Sequence, residues 1–236
     1  MASKDLIVIT GASCVRGTME LYFKQLTDAG IEFHCEDLSQ LTLTGAGGNL
    51  EFKIKWIRKF AERFSDYERM IMTDAFDVTY WGSKENVVKK IPNDHVLWGA
   101  EKNCYPDSGL IERIHNPLPW KFANGGLLAG TPQAFTEWCS AAEHNHLYKP
   151  HMLDQEFLNL MLAEGSPLAK IDDQTKLFFC LYGGYDELDF ASGLPINTKC
   201  CTFPNFIHAN GQWNSAEMFA KYERSLQYTS ADSGGR

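Results

Sequence analysis

Met70-Ile71-Met72-Thr73-Asp74-Ala75-Phe76-Asp77-Val78 runs an apolar segment, of the kind a buried strand carries, straight into two carboxylates three residues apart. Side chains alternate faces along a strand, so positions three apart point oppositely. If both carboxylates serve one site, the strand ends near Asp74 and the chain turns before Asp77. That places an acidic pair at the carboxyl end of a central strand, where open α/β sheets keep their ligand sites. Hard oxygen donors there suit a divalent cation carrying phosphates. The competing interpretation is a surface turn rich in Asp.

The flanking pattern supports the strand. Leu6 to Thr10 is a short β-branched apolar run of the buried parallel type. Val15 to Ala29 follows with Met19, Tyr22, Phe23 and Leu26 at helical spacing, closed by Gly30. Ile31 to Cys35 alternates as a second strand, and Asp37 to Asn49, with Gly45, Gly47 and Gly48, reads as loop. Phe52, Trp56, Ile57, Phe60 and Phe64 then recur at helical spacing before the strand from Arg69 to Asp74. This β-α-β-α-β start predicts a Rossmann-like α/β sheet. Downstream, Ser83 to Lys90 reads as a short helix and His95 to Ala100 as an apolar run ending in Glu101. Thr131 and Pro132 open a helix with a capping residue and a first-turn proline, its apolar stripe being Phe135, Trp138 and Ala142. Met152 to Ala163 forms another helix, stopped by Gly165. Leu168 to Phe206 holds short strands and turns, Asn214 to Leu226 a terminal helix, and Thr229 to Arg236 a disordered tail. With no linker in sight, residues 1–228 are expected to form one domain.

A chain of 236 residues can bury a full core. Its net charge of -8 offers no protein-wide surface for nucleic acid. Seven scattered cysteines, none in Cys-x-x-Cys spacing, exclude a secreted disulfide framework and argue against structural zinc. The first residues carry no signal-peptide pattern and no apolar run reaches membrane-spanning length. A cytoplasmic setting is the resulting expectation.

Three further segments have rival explanations. Thr10-Gly11-Ala12-Ser13-Cys14-Val15-Arg16-Gly17 resembles a dinucleotide-binding turn, and Tyr80 with Lys84 mimics the Tyr-x-x-x-Lys of short-chain dehydrogenases. Val15, however, stands where that fingerprint needs a glycine for the backbone to approach a pyrophosphate. A nucleotide contact from Thr10 or the following backbone stays reasonable. His144, His146 and His151 could ligate a metal, but they lie in a polar segment without a carboxylate or cysteine at ligand spacing, which favours a solvated loop. In Phe206-Ile207-His208-Ala209-Asn210-Gly211 an apolar strand delivers a histidine into an Asn-Gly turn. That is a common strand end, or a third metal ligand from a distant part of the chain. Asp154 opens a helix, where it serves either as a plain cap or as a carboxylate facing sugar hydroxyls.

Six motifs in one order resemble the glycosyltransferase domain of the procollagen lysyl hydroxylases. They are Gly47-Gly48 with Lys53 and Trp56; Met70 to Val78; Gly99-Ala100-Glu101-Lys102-Asn103-Cys104-Tyr105-Pro106; Asn124-Gly125-Gly126-Leu127-Leu128-Ala129-Gly130, read as a glycine-rich loop; Asp154-Gln155; and His208-Ala209-Asn210-Gly211. The resemblance covers about residues 5–214 and implies a GT-A fold. It also implies metal-dependent transfer of a glucose or galactose from a UDP-sugar to an acceptor hydroxyl, with retention favoured.

On that resemblance Asp74, Asp77 and His208 hold Mn²⁺ (or Mg²⁺), and Asp74 also touches the nucleotide. Thr10 and Lys53 reach the nucleotide, Phe76 stacks on uracil, and Asn210 and Gly211 meet the diphosphate. Glu101, Asn124 and Asp154 line the catalytic pocket, with Gly125, Gly126 and Gln155 beside the sugar and Tyr105 on the acceptor side. Leu153 stands where the family has a further carboxylate, and Gln212-Trp213-Asn214 where it continues Pro-Thr-Lys, so Arg16 or Lys53 would have to supply the missing cation. The acceptor could be a glycan, a hydroxylated peptide or a hydroxymethylated DNA base. A non-catalytic nucleotide-sugar or carbohydrate-binding module of the same fold, and a nucleotidyltransferase, are the alternatives.

Overall fold

The computed structural model describes residues 4–14, 18–39, 49–190 and 193–211. The expected terminal helix and tail lie outside the described residues, as do Arg16, the glycines at 45, 47 and 48, and Asn214.

Six strands form the main sheet: β1 (Lys4–Ala12), β2 (Glu32–Asp37), β3 (Tyr67–Thr73), β5 (Leu97–Glu101), β6 (Phe122–Gly130) and β7 (Lys170–Ile171), in the order β2-β1-β3-β6-β5-β7. β1 pairs parallel with β2 and β3, β6 runs antiparallel to both β3 and β5, and β5 pairs parallel with β7. β4 (Val78–Tyr80), β8 (Phe178–Cys180) and β11 (Phe206–His208) make a second sheet, and β9 (Leu188–Asp189) pairs with β10 (Ile196–Asn197).

Helices α2 (Leu50–Arg63), α4 (Pro132–Glu143) and α5 (Asp154–Ala163) pack on one face of the main sheet. Helices α1 (Met19–Asp28) and α3 (Lys84–Lys90), with the second sheet, cover the other. Alternate strand residues serve the two layers: Ile7, Ile9, Met70 and Met72 face α2 and α4, whereas Leu6, Val8 and Ile71 face α1. Burial on both faces is why these strands are apolar without alternation. Among the described residues, no helix is long and apolar enough to cross a membrane.

Most predicted elements stand, with shifted ends. The Thr131 cap is as expected, its hydroxyl accepting from Ala134 N–H at 3.0 Å, and Asn49, read from the sequence only as the end of a loop, caps α2 with its side-chain Oδ1 accepting from Phe52 N–H at 3.1 Å. One expectation is overturned. Asn124 to Gly130 is not a loop but the fully buried strand β6, between β3 and β5. Its ladder with β5 is interrupted, since one step along β5, from Trp98 to Gly99, spans four along β6, from Leu128 to Asn124. Residues 125–127 therefore leave that ladder at the carboxyl end of β3, where the sheet opens to solvent.

Candidate active site

β3 ends at Thr73, and the turn from Asp74 to Asp77 reverses the relation between the two carboxylates that a continuous strand would impose. Three contacts pin the turn. Asp74 N–H donates to Gly126 O at 2.8 Å, the Thr18 hydroxyl donates to Phe76 O, and Ala209 N–H donates to Asp77 O at 2.7 Å. The last contact continues the second sheet. His208 is aligned with Val78 across the antiparallel β4–β11 pair and with Cys180 across the parallel β8–β11 pair, so β11 ends beside Asp77.

The imidazole Nε2 of His208 consequently lies 3.3 Å from both Asp74 Oδ2 and Asp77 Oδ1. Ligand atoms of these three residues fall within 4.8 Å of one another, the one such cluster among the described residues. His144, His146 and His151 are not part of any such group, and His146 instead meets Glu164 at 3.1 Å. In the metal-free chain burial works to lower the basicity of His208, and the two aspartates outweigh it, raising its pKa well above the ordinary value. Concentrated negative charge around one imidazole is what a bound cation would neutralise.

The glycines of β6 give this cluster its room. A Cβ on Gly126 would lie 2.4 Å from His208 Cε1 and 2.5 Å from Asp74 Oδ2. A Cβ on Gly125 would lie 2.5 Å from Asp154 Oδ2. The two residues thus pass between the Asp74–His208 pair and Asp154, and only glycine fits at either position without displacement.

Asp154 is the first residue of α5 rather than its cap; the cap position is Leu153, which supplies no side-chain acceptor. Its carboxylate accepts from Gln155 N–H at 2.8 Å and lies 3.6 Å from Lys53 Nζ. Burial raises its pKa, opposed chiefly by Lys53. Gln155 donates from its amide to Glu101 and to Ala123 O at 2.9 Å, and Asn210 donates to the other Glu101 oxygen. Burial pushes Glu101 up to about 7 against these hydrogen bonds. An acid poised near neutrality can accept or donate to a hydroxyl.

These groups converge on a cavity of about 810 Å³. It is lined by the three aspartates and His208, by Lys53, Glu101, Asn124 and Gln155, and by Gly125, Gly126, Asn210, Gly211 and Tyr105. A second cleft of about 180 Å³ lies alongside, walled by Phe52, Trp56 and Phe76, and shares Lys53 and Asp74 with the first. Trp56 reaches this wall because Gly11 has no side chain, a Cβ there falling 2.6 Å from the indole.

Thr10 lines neither cavity. It is 1% exposed and its hydroxyl is spent on Thr73 O at 2.8 Å, so its neighbours Gly11 and Ser13 are the residues that face the cleft. Leu153, which stands where the resemblance places a further carboxylate, also lines the larger cavity, as do Asn103, Cys104 and Tyr182, which were not foreseen as site residues. Gly11 carried a signal, an isolated glycine at a strand end. Tyr182 carried none: its place depends on Asn210 Oδ1 accepting from Tyr182 N–H at 3.1 Å and on its ring packing against Gly211.

The chain is 27% identical over 172 residues to the multifunctional procollagen lysine hydroxylase and glycosyltransferase LH3 of Rattus norvegicus, covering 67% of this chain and 23% of that protein. It is 26% identical over 190 residues to the procollagen-lysine,2-oxoglutarate 5-dioxygenase of Drosophila melanogaster, covering 70% and 25%. It is 24% identical over 176 residues to protein R699 of Acanthamoeba polyphaga mimivirus, covering 70% and 37%. The chain thus spans between about a quarter and just over a third of the length of these relatives. Two solved structures share the fold. One is a glycosyltransferase involved in glycosylation of the major capsid of PBCV-1 (TM-score 0.52, 16% identity, 94% of this chain and 99% of that one). The other is the galactosyltransferase LgtC in complex with donor and acceptor sugar analogues (TM-score 0.54, 14% identity, 92% and 95%). The sheet is accordingly of the GT-A type. A family profile described as the PLOD GT domain matches residues 3–231, nearly the whole sequence, and the chain therefore belongs to the PLOD glycosyltransferase-domain family.

Proposed function

We propose that this glycosyltransferase moves a hexose, glucose or galactose, from a UDP-sugar to an acceptor hydroxyl, with retention at the anomeric carbon. The observation that carries the reading is the meeting of Asp74, Asp77 and His208 at the side of a cavity lined by carboxylates and amides. Two carboxylate oxygens and an imidazole nitrogen form a donor set suited to Mn²⁺, with Mg²⁺ the harder alternative. Bound there, the cation would offset the negative charge that develops on a departing UDP.

The other roles follow from position. The aromatic cleft beside Asp74 suits a uracil, with Phe76 and Trp56 offering ring faces. Lys53, shared by both cavities, lies where a diphosphate would pass between them, and Asn210 and Gly211, on the wall of the larger cavity, are the further groups for it. Asp154, Glu101 and Gln155 present acceptors and donors to hexose hydroxyls. Glu101, buried and near neutrality, is the best placed acid–base group. Tyr105, 55% exposed at the cavity, stands on the acceptor side. The acceptor is a glycan, a hydroxylated peptide or a hydroxymethylated DNA base, the last drawing no support from a net charge of -8.

Thermal stabilisation and turnover should be measured with UDP-glucose, UDP-galactose, GDP-sugars and nucleoside triphosphates, each with and without Mn²⁺. Mn²⁺-dependent stabilisation by a UDP-hexose, with hydrolysis or transfer abolished in Asp77→Ala, is the expected result. Stabilisation by a UDP-hexose with no turnover would instead establish a binding module, a reading that Leu153 in the cavity wall favours. Preference for triphosphates would establish a nucleotidyltransferase.

A further inference from the structure

Asn124 lines the cavity, yet its side chain is committed to the protein. It is 4% exposed, and its Oδ1 accepts from Gly126 N–H at 3.0 Å. The same oxygen lies 3.1 Å from His208 Nδ1. A backbone N–H can only donate, so the atom facing Gly126 must be the amide oxygen and not the nitrogen. That orientation turns the Asn124 amide N–H groups away from Gly126 and His208. Because the oxygen has no hydrogen to offer, His208 Nδ1 must carry the proton in their shared bond. In the neutral ring the lone pair then falls on Nε2, the nitrogen 3.3 Å from both Asp74 and Asp77.

We propose that Asn124 is a positioning residue, which selects the Nδ1–H tautomer of His208 and so determines how tightly the Asp74–Asp77–His208 cluster takes a divalent cation. The inference rests on the metal reading of that cluster. Outer partners of ligating histidines commonly fix the tautomer and ring orientation, and their loss weakens metal affinity by about 10- to 100-fold. Gly126 adds rigidity, since its N–H holds the oxygen in place and its missing Cβ leaves the His208 ring room.

The test is Mn²⁺ binding to the whole chain without sugar donor, by titration calorimetry and by the loss of the free-ion electron paramagnetic resonance signal. Asn124→Ala should bind Mn²⁺ about 10- to 100-fold more weakly. Asn124→Asp, which keeps an acceptor for both N–H groups, should recover most of the affinity. Spectra of the metal-free chain with ¹⁵N-labelled histidine, taken at a pH where His208 is neutral, should show Nδ1–H in the wild type and a tautomer mixture in Asn124→Ala. Wild-type affinity in Asn124→Ala, or a neutral wild-type His208 that carries its one proton on Nε2, overturns the proposal. Unchanged Mn²⁺ affinity in Asp77→Ala refutes the metal reading itself, a separate outcome. Should Asn124→Ala fail to fold, the wild-type spectrum and the Asn124→Asp affinity still decide.

Discussion

Replacing Gly126 by alanine tests whether the clearance in β6 exists for the metal cluster. The residue has no left-handed backbone angle, so an alanine meets no conformational strain and its cost is steric. The new methyl would sit 2.4 Å from His208 Cε1 and 2.5 Å from Asp74 Oδ2, about 1 Å inside ordinary contact. Overpacking of this kind costs about 1–3 kcal/mol when the neighbours cannot move. His208 is pinned: it is 3% exposed, bonded to Asn124 and set in register between β4 and β8. The Asp74 side chain is 52% exposed and can swing outward, which relieves the clash by dismantling the cluster. The penalty is then charged to metal binding, where 1–3 kcal/mol corresponds to roughly 5- to 150-fold. Calorimetric Mn²⁺ titration should show that loss, with urea unfolding of the metal-free chain shifted by less than about 1 kcal/mol. Gly130→Ala is the control. Its Cβ would press on His95 O at 3.1 Å at the far end of the same strand, so stability should fall and Mn²⁺ affinity should hold. Wild-type affinity in Gly126→Ala, or equal affinity losses in both variants, would refute the reasoning.

Other consequences follow from buried groups. Glu101 is held near a pKa of about 7 by burial, against 4.5 for the free side chain. The folded state therefore binds its proton more tightly, and stability falls as pH rises between those values, by about 3 kcal/mol from this group. Urea unfolding of the metal-free chain from pH 4.5 to 7.5 should show Glu101→Gln gaining on the wild type across that window, and parallel curves would exclude it. Asp172 accepts backbone N–H groups from Lys176, Leu177 and Phe178 at 2.9, 2.7 and 2.9 Å. Asp172→Ala leaves two buried donors and a third, part-buried one just before and at the start of β8 and should cost about 3–5 kcal/mol, read as a lowered urea midpoint. Thr10→Val removes the bond to Thr73 O and should cost about 1 kcal/mol while leaving the KM for a UDP-sugar unchanged; a large rise in KM would place the hydroxyl on the donor after all.

The doubly covered sheet was legible because both faces of β1 and β3 are buried, which leaves unbroken apolar runs such as Leu6 to Ile9 and Met70 to Met72. The end of β3 was legible for a related reason: two carboxylates cannot share a face three residues apart unless the strand stops. The glycines of β6 were misread as a loop. Composition registers a missing side chain and cannot say whether the backbone needed a turn or needed clearance. Here it needed clearance, for Asp154 on one side and for Asp74 with His208 on the other.

His208 marks the boundary of what local pattern can decide. A histidine at a strand end is suggestive only, and its role depends on a register established by residues far away in the chain. Phe206, Ile207 and His208 align with Tyr80, Thr79 and Val78, and Ala209 N–H closes on Asp77 O. A slip of one residue would send the imidazole to the opposite face, among Phe179, Leu181 and Trp120, and leave Ile207 facing two aspartates. Phe206, on the same face as His208, is buried with Phe178 and Tyr80, and Ile207 is buried with Phe179 and Leu181 on the other face; the slip would undo both packings at once and bury the imidazole among apolar side chains. The apolar residues of β11 are thus as much a condition of the metal cluster as the ligands themselves.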